Sequence, residues 1–250
     1  MGGASPTRYT EFMLRVFRPL PSESLKLLVF DLDGTLIDSC KDLCNSVNAT
    51  LRHCGRSPVA DKEIAGFIGD GALMLVRRAL FNGGPVDEAQ LAQAYDFFLA
   101  YYREHKLDFT YAYSGVLEAL TALRDGPYDT RIMAVLTNKP VRPARAICQA
   151  LGLAPFFLGI YGGNSFQTKK PDPEGLLAVM REAGARPDET VMIGDSDVDV
   201  LTARNAGAWS IGCTFGLAPH TLLATPPDVS LDEPADWTAV LSPARIDLRQ

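Results

Sequence analysis

The chain lacks an apolar run long enough to form a membrane-spanning helix. Its uninterrupted apolar stretches, such as 27–30 and 132–136, are far shorter than the about 18 residues of a span. Residues 1–24 contain no continuous apolar stretch followed by a small-residue cleavage site, so we do not expect a secretory signal. We therefore expect a cytoplasmic protein without a membrane partner, in which residues 1–24 are a native extension or come from an expression vector.

Runs of basic residues and a disulfide framework are also missing. The formal net charge is -6 and no cluster of lysines or arginines stands out, so we do not expect a nucleic acid as partner. The five cysteines are odd in number and scattered in spacing, which argues for a reducing compartment. Cys40 and Cys44 would lie one helical turn apart, but no second pair of soft metal ligands follows them, and we interpret them as core residues.

Short apolar runs that alternate with helical stretches dominate the rest of the chain. The predicted strands are continuous apolar runs, typical of parallel strands covered on both faces: 27–30, 131–136, 156–161, 191–193 and 209–213. Helices are predicted between them, with Ser114 as a candidate N-cap of the first: 114–126, 140–152, 173–184 and 197–207. This alternation predicts the α/β class with a doubly wound parallel sheet.

One interval, between Asp38 and Tyr113, breaks this alternation. It contains no convincing strand and is far longer than the about 2 to 6 residues usual between a strand and a helix. Apolar residues recur at helical spacing within it: Leu43, Val47 and Leu51, then Leu73, Val76 and Leu80, then Leu91, Tyr95, Phe98 and Tyr102. We therefore predict a core domain from 25–37 and 113–241 and an inserted helical cap domain from 38–112. We expect a monomer or a homodimer.

Polar residues follow four of the predicted strands, either directly or after a short loop. The segments are DLDGTLIDS at 31–39, TNK at 137–139, KPDP at 170–173 and GDSDVD at 194–199. Open α/β sheets bind ligands at the carboxyl ends of their strands, so we expect these four segments to meet in one crevice.

The crevice would concentrate negative charge. Its four aspartates are Asp31, Asp33, Asp195 and Asp199. Two unit charges about 4 Å apart repel by about 4 kcal/mol at an effective dielectric of 20, so the aspartates need cations. Lys170 supplies one, Thr137 and Asn138 supply neutral donors for phosphoryl oxygens, and oxygen ligands favour Mg²⁺. The sequence thus predicts a magnesium site that binds a small phosphorylated metabolite.

The same four segments resemble the motifs of the haloacid dehalogenase-like (HAD) superfamily, over nearly all of the chain from Leu25 to about Leu241. The resemblance implies a Rossmann-like core and an aspartyl-phosphate mechanism. In it, Asp31 would be the nucleophile and Asp33 the general acid and base, while Thr137 and Lys170 would hold the phosphoryl group. Superfamily members that act as dehalogenases lack a carboxylate at the position of Asp33, so its presence favours phosphate ester cleavage.

The resemblance also implies the ligands of the metal. Mg²⁺ would be bound by the Asp31 carboxylate, the Asp33 backbone carbonyl and Asp195. Asp199, together with Ser196, would support the site by orienting Lys170 or a metal-bound water.

A finer resemblance lies in the cap. The segment FIGDGA at 67–72, and YSGV at 113–116, are similar to the phosphoglycolate phosphatase subgroup. The subgroup implies 2-phosphoglycolate as substrate and Asn138, Gly69 and Gly71 as substrate-binding residues. Asp70 stands where relatives commonly carry Asn, and would add a carboxylate near an anionic substrate.

Three alternatives remain open at this point. A phosphosugar mutase similar to beta-phosphoglucomutase would use the same four motifs, and so would a sugar-phosphate or pyrophosphate hydrolase. A non-catalytic binding protein would be marked by loss of an aspartate from the first or last motif, and none is missing.

Overall fold

A seven-stranded sheet forms the centre of the computed structural model, which describes residues 15–82, 84–85, 87–126 and 131–241. Its strands are β1 (Arg15–Val16), β2 (Leu27–Phe30), β5 (Ile132–Leu136), β6 (Ile160–Tyr161), β7 (Thr190–Gly194), β8 (Trp209–Cys213) and β9 (Val229–Leu231). A separate two-stranded hairpin consists of β3 (Ile37–Asp38) and β4 (Tyr111–Ala112).

The order of the strands places β2 at the middle of the sheet. The order is β1-β9-β8-β7-β2-β5-β6, and every pair is parallel except β1 with β9. Phe30, the last residue of β2, pairs with Val135 of β5 on one side and with Ile193 of β7 on the other. The strands that follow β2 first extend the sheet on one side, as β5 and β6, and then on the other side, as β7, β8 and β9. The carboxyl end of β2 is therefore a topological switch point, where such sheets bind ligands.

Helices cover both faces of the sheet, which explains the continuous apolar runs of its strands. On one face α5 (Val116–Asp125), α6 (Val141–Ala150) and α9 (Asp236–Leu241) pack against Leu28 and Phe30. On the other face α7 (Glu174–Ala183) and α8 (Asp197–Ala206) pack against Leu27 and Val29. The fold class predicted from the sequence is confirmed. None of the described helices has the length and hydropathy needed to cross a bilayer.

The predicted cap is present as four helices between β3 and β4. They are α1 (Cys40–His53), α2 (Asp61–Ala65), α3 (Ala72–Phe81) and α4 (Glu88–His105). The buried stripe of α1 is the predicted one, with Leu43, Val47 and Leu51 at most 5% exposed. In α3 the predicted Val76 and Leu80 are buried, but Leu73 is 43% exposed and Leu75 is buried instead.

The two chain crossings between core and cap lie side by side. β3 pairs antiparallel with β4, so the outgoing and returning segments form one hairpin. Beside it the buried carboxylate of Asp42 accepts hydrogen bonds from the backbone N–H of Phe109 (3.0 Å) and from both the N–H (2.8 Å) and the hydroxyl (2.7 Å) of Thr110. Asp42 thereby fixes the first turn of α1 to the residues that lead into β4.

Several element boundaries differ from those predicted. The third strand is limited to Ile160–Tyr161, because residues 154–156 form a 3₁₀ turn that contains Pro155, which has no N–H to donate. Helix α5 begins after Gly115, whose φ of +87° sets the turn, and Ser114 does not cap it. Within the segment assigned to an extension, Arg15–Val16 adds an edge strand to β9, and Arg18 pairs with Asp228 at 2.7 Å.

Candidate active site

Asp31 lies at the carboxyl end of β2, the switch point of the sheet. The Lys170 ammonium is 2.9 Å from an Asp31 oxygen and 2.6 Å from an Asp199 oxygen, so one buried cation bridges the first and last motifs. Burial raises the pKa of Asp31 to about 6, with Asp199 adding to the effect and Lys170 opposing it. A carboxylate with this pKa is ionised at neutral pH and available as a nucleophile.

The Asp33 side chain pairs with a different lysine. Lys139 Nζ lies 2.9 Å and 3.0 Å from the two Asp33 oxygens, and the Ser39 hydroxyl donates to one of them. Although burial by itself lowers the pKa of Lys139, the Asp33 carboxylate outweighs it and holds that pKa above its usual value. The ammonium also lies over the ring of Tyr102 from α4, 4.8 Å from its centroid.

Asp195 follows β7 and completes a cluster of three carboxylates. The oxygens of Asp31, Asp195 and Asp199 lie within 4.8 Å of one another. One Asp195 oxygen accepts hydrogen bonds from the backbone N–H groups of Leu217 (2.7 Å) and Ala218 (2.9 Å). Burial raises the pKa of Asp195 to about 8, with Asp199 and Asp31 adding to it and the two backbone hydrogen bonds opposing it. Buried carboxylates that are this reluctant to ionise are suited to a hard divalent cation.

Asp199 and Ser196 form the first turn of α8. The Ser196 N–H and hydroxyl donate to one Asp199 oxygen at 3.2 Å and 2.7 Å, and Lys170 occupies the other. Both oxygens of Asp199 therefore have protein partners, whereas among the described residues no hydrogen bond to the second oxygen of Asp195 is found. This arrangement fits a supporting role for Asp199, beside a bound metal ion rather than as one of its ligands.

Close packing of glycine holds Asp195 in position. Gly34, in the loop after Asp33, has a φ of +84°, and a Cβ built on it would lie 2.2 Å from an Asp195 oxygen. No other residue could occupy this position without moving the carboxylate.

The second motif lies at the end of β5, between core and cap. Thr137 is 3% exposed and lines the pocket above Asp31. The Asn138 amide donates to the carbonyls of Gly69 (3.1 Å) and Lys170 (3.0 Å), while its buried oxygen has no partner among the described residues. Gly71 packs on the Asn138 backbone, and a Cβ built on Gly71 would lie 2.9 Å from the backbone carbonyl oxygen of Asn138. Gly69 and Gly71 thus place the cap loop against the core at the pocket.

Asp70, in the same loop, does not add free negative charge to the pocket. Its carboxylate pairs with Arg78 of α3, and the Lys169 ammonium donates to its backbone carbonyl at 2.5 Å. The repulsion expected from an extra carboxylate is therefore countered by Arg78.

A pocket between the core motifs and the cap connects these groups. The cap side is apolar: Leu43, Ile68, Leu75, Phe98 and Leu99. The core side contributes Asp31, Asp33, Thr137, Asn138, Lys139, Asp195 and Ser196. Its cavity volume is about 50 Å³, space for a few water molecules.

The structure brings together the residues of all four sequence motifs, and it adds three residues that had no role assigned. Lys139 and Ser39 both contact Asp33, and Tyr102 packs on Lys139. The sequence carried a signal for the first two, because each closes a motif, TNK and DLDGTLIDS. Tyr102 was interpreted as part of the packing stripe of the cap, and nothing in its spacing distinguishes it from Phe98.

This combination of a parallel sheet, a helical cap and four motifs at one switch point defines a class, which the comparison with known proteins identifies. A sequence model of the haloacid dehalogenase-like hydrolase family matches residues 28–213. The chain belongs to the haloacid dehalogenase-like hydrolases, and within that family it is a phosphatase.

The relatives are more specific. The chain is 35% identical over 216 residues to the phosphoglycolate phosphatase of Agrobacterium fabrum, covering 86% of this chain and 91% of that protein. It is 40% identical over 200 residues to the phosphoglycolate phosphatase of Pseudomonas putida, covering 78% and 72%. A crystal structure described as a predicted phosphoglycolate phosphatase, from Haemophilus somnus, superimposes with a TM-score of 0.81 at 30% identity, covering 88% of this chain and 99% of that one.

Proposed function

We propose that the protein hydrolyses 2-phosphoglycolate by way of a phosphorylated Asp31. The observation that carries the proposal is the convergence of all four motifs around the Asp31 carboxylate at the end of β2. The names of the relatives support the substrate.

In the first step, an Asp31 oxygen would attack phosphorus while the bond to the substrate oxygen breaks. Lys170 and Thr137 would hold the phosphoryl oxygens. Asp33, in its protonated form, would give its proton to the departing alkoxide, which leaves as glycolate, and would regain a proton from water in the second step.

In the second step, a water molecule would attack the phosphorus of phosphorylated Asp31. Asp33, now a carboxylate, would accept the proton of that water, and the bond between phosphorus and the Asp31 oxygen would break. Inorganic phosphate would leave and the Asp31 carboxylate would be restored.

The cofactor of this reaction is proposed to be Mg²⁺. The Asp31 and Asp195 carboxylates and the Asp33 backbone carbonyl would hold it, with Asp199 and Ser196 in support. When bound, the ion supplies positive charge that stabilises the negative oxygens of the transferring phosphoryl group. The two lysines leave part of the charge of the four aspartates uncompensated, which is what a divalent ion would balance.

The cap of residues 38–112 is proposed to close over the pocket and to select the leaving group. Its wall above Asp31 is largely apolar, and the adjoining cleft adds polar cap residues such as Asp96, Arg103 and Lys106. The choice of a phosphatase over a phosphosugar mutase is supported by the relatives, which are named phosphoglycolate phosphatases.

A panel of phosphomonoesters tests the proposal. Release of inorganic phosphate from 2-phosphoglycolate, glucose 6-phosphate, β-glucose 1-phosphate and pyrophosphate would be measured with Mg²⁺ and with excess chelator. We expect the highest kcat/KM for 2-phosphoglycolate and no turnover with chelator. Phosphate transfer between sugar hydroxyls without release of phosphate would refute the proposal.

A further inference from the structure

Lys139 is a buried charged group that the proposed mechanism leaves unused. Its side chain is 3% exposed, yet it takes part in neither step of the proposed reaction. A buried ammonium is costly unless it is paired, and among the described residues its ion-pair partner is Asp33.

We infer that Lys139 is a positioning residue that holds the Asp33 carboxylate in the orientation needed to accept a proton from the water that hydrolyses phosphorylated Asp31. The inference rests on the proposed function and deepens it.

The geometry of the contact limits how Asp33 can turn. Lys139 Nζ reaches both carboxylate oxygens, at 2.9 Å and 3.0 Å, and the Ser39 hydroxyl donates a further hydrogen bond to one of them. A carboxylate held at both oxygens cannot rotate about its χ angles without losing a charge-assisted hydrogen bond. General base catalysis requires the base within hydrogen-bond reach of the proton, so this restraint bears directly on the second step.

Lys139 is itself held by the cap. The Tyr102 ring of α4 covers the ammonium at 4.8 Å, and Tyr102 is 3% exposed. The lysine therefore lies between a core carboxylate and a cap aromatic ring, in the same pocket as Asp31. Lys170 differs from Lys139 because it pairs with Asp31 and Asp199, and neither of these carboxylates is paired with Lys139.

The two steps of the reaction can be measured separately with acetyl phosphate. Its acetate leaves with the electron pair of the broken bond and needs no proton, so phosphorylation of Asp31 does not require Asp33. Hydrolysis of the phosphorylated protein still does. Loss of Lys139 should therefore slow the second step selectively, while a general structural defect would slow both.

The experiment compares wild type with Lys139→Met in the full chain with Mg²⁺. We expect phosphoenzyme to form from acetyl phosphate within about tenfold of the wild-type rate and to decay about 10²- to 10⁴-fold more slowly, the usual contribution of a general base. The phosphorylated form should accumulate. Equal slowing of both steps, or unchanged decay, would overturn the inference.

Two further variants serve as controls for this experiment. Lys139→Gln keeps a neutral donor beside Asp33 and should therefore destabilise the fold less than Lys139→Met. It should show the same selective slowing to a smaller extent. Lys26→Met removes an exposed lysine that pairs with Glu189 at 2.7 Å, outside the pocket, and should leave both rates unchanged. A wild type that acetyl phosphate and 2-phosphoglycolate both fail to phosphorylate would refute the proposed function. If the wild type is phosphorylated and active but Lys139→Met does not slow the decay of the phosphoenzyme selectively, only the role of Lys139 is refuted.

Discussion

At the scale of single residues, the candidate site depends on how buried carboxylates are held by their hydrogen-bond and ion-pair partners. Each of the four aspartates has a different set of donors. Asp31 pairs with Lys170, and Asp33 with Lys139 and the Ser39 hydroxyl. Asp195 accepts from two backbone N–H groups, and Asp199 from Lys170 and from the N–H and hydroxyl of Ser196. These partners fix orientation as well as charge. Identical residue types can therefore serve as nucleophile, proton carrier, metal ligand and support.

Gly34→Ala should disturb the metal site without unfolding the protein. The new methyl group would overlap an Asp195 oxygen, so Asp195 must move. We expect affinity for Mg²⁺ to fall about 10- to 100-fold, as is usual when the support of a ligand is altered. Titration calorimetry would measure it.

Gly152→Ala is the matched control for this substitution. Gly152 also has a positive φ, of +71°, but a Cβ built on it would meet nothing within 4 Å, so the variant shares the backbone strain alone. Equal loss of Mg²⁺ affinity in both variants would show that contact with Asp195 is not the cause.

At the scale of elements, the hairpin of β3 and β4 and the first turn of α1 decide where the cap sits. Asp42 is 1% exposed and joins α1 to Phe109 and Thr110, 67 and 68 residues further along the chain. The acidic side chain in the first turn also suits the positive end of the helix dipole.

Asp42→Ala should destabilise the protein strongly. The change leaves the backbone N–H of Phe109, and both the N–H and the hydroxyl of the buried Thr110, without their acceptor. We expect the free energy of unfolding to fall by about 2 to 4 kcal/mol, measured by urea denaturation. Asp61→Ala removes an exposed carboxylate paired with Lys41 and should cost less than about 1 kcal/mol. A loss for Asp42→Ala no larger than that of the control would contradict the structural role.

The elements also show how far the sequence alone leads. Strands such as β2 and β8 were predicted with their observed limits, because a continuous apolar run must be covered on both faces. Their carboxyl ends share an edge, so the meeting of the four motifs in one pocket could be predicted as well. The hairpin and β9 were not predicted, because strands of two or three residues carry little pattern. The pairing of Lys139 with Asp33 joins residues 106 positions apart, which no local spacing reveals.

At the scale of the whole molecule, folding and metal binding should depend on pH in opposite ways. The pKa of Asp195 rises from 3.8 to about 8 on folding, so the folded state holds a proton that the unfolded state has lost across this range. Without metal, stability gained from this group at low pH is therefore lost as the pH rises toward about 8. A bound cation favours the ionised carboxylate, so affinity for Mg²⁺ should increase over the same range.

Thermal unfolding with and without Mg²⁺ checks this expectation. At a concentration of about 100 times the Kd measured at pH 8, the ion should add about 2.7 kcal/mol at that pH, or roughly 5 to 10 °C in Tm, and the same concentration is used at pH 6. The increase should be larger near pH 8 than near pH 6, and Asp195→Asn should remove most of the difference. A larger increase at the lower pH would contradict the assigned role of Asp195.

The most direct test of covalent catalysis is to identify the residue that carries the phosphoryl group. The protein would be mixed with 2-phosphoglycolate and Mg²⁺, quenched in acid within the first turnover and digested for peptide mass spectrometry. We predict one added phosphoryl group on Asp31, and none in Asp31→Asn, which should fold but not turn over. Phosphate release without a phosphorylated Asp31, or activity like that of the wild type in Asp31→Asn, would contradict the account.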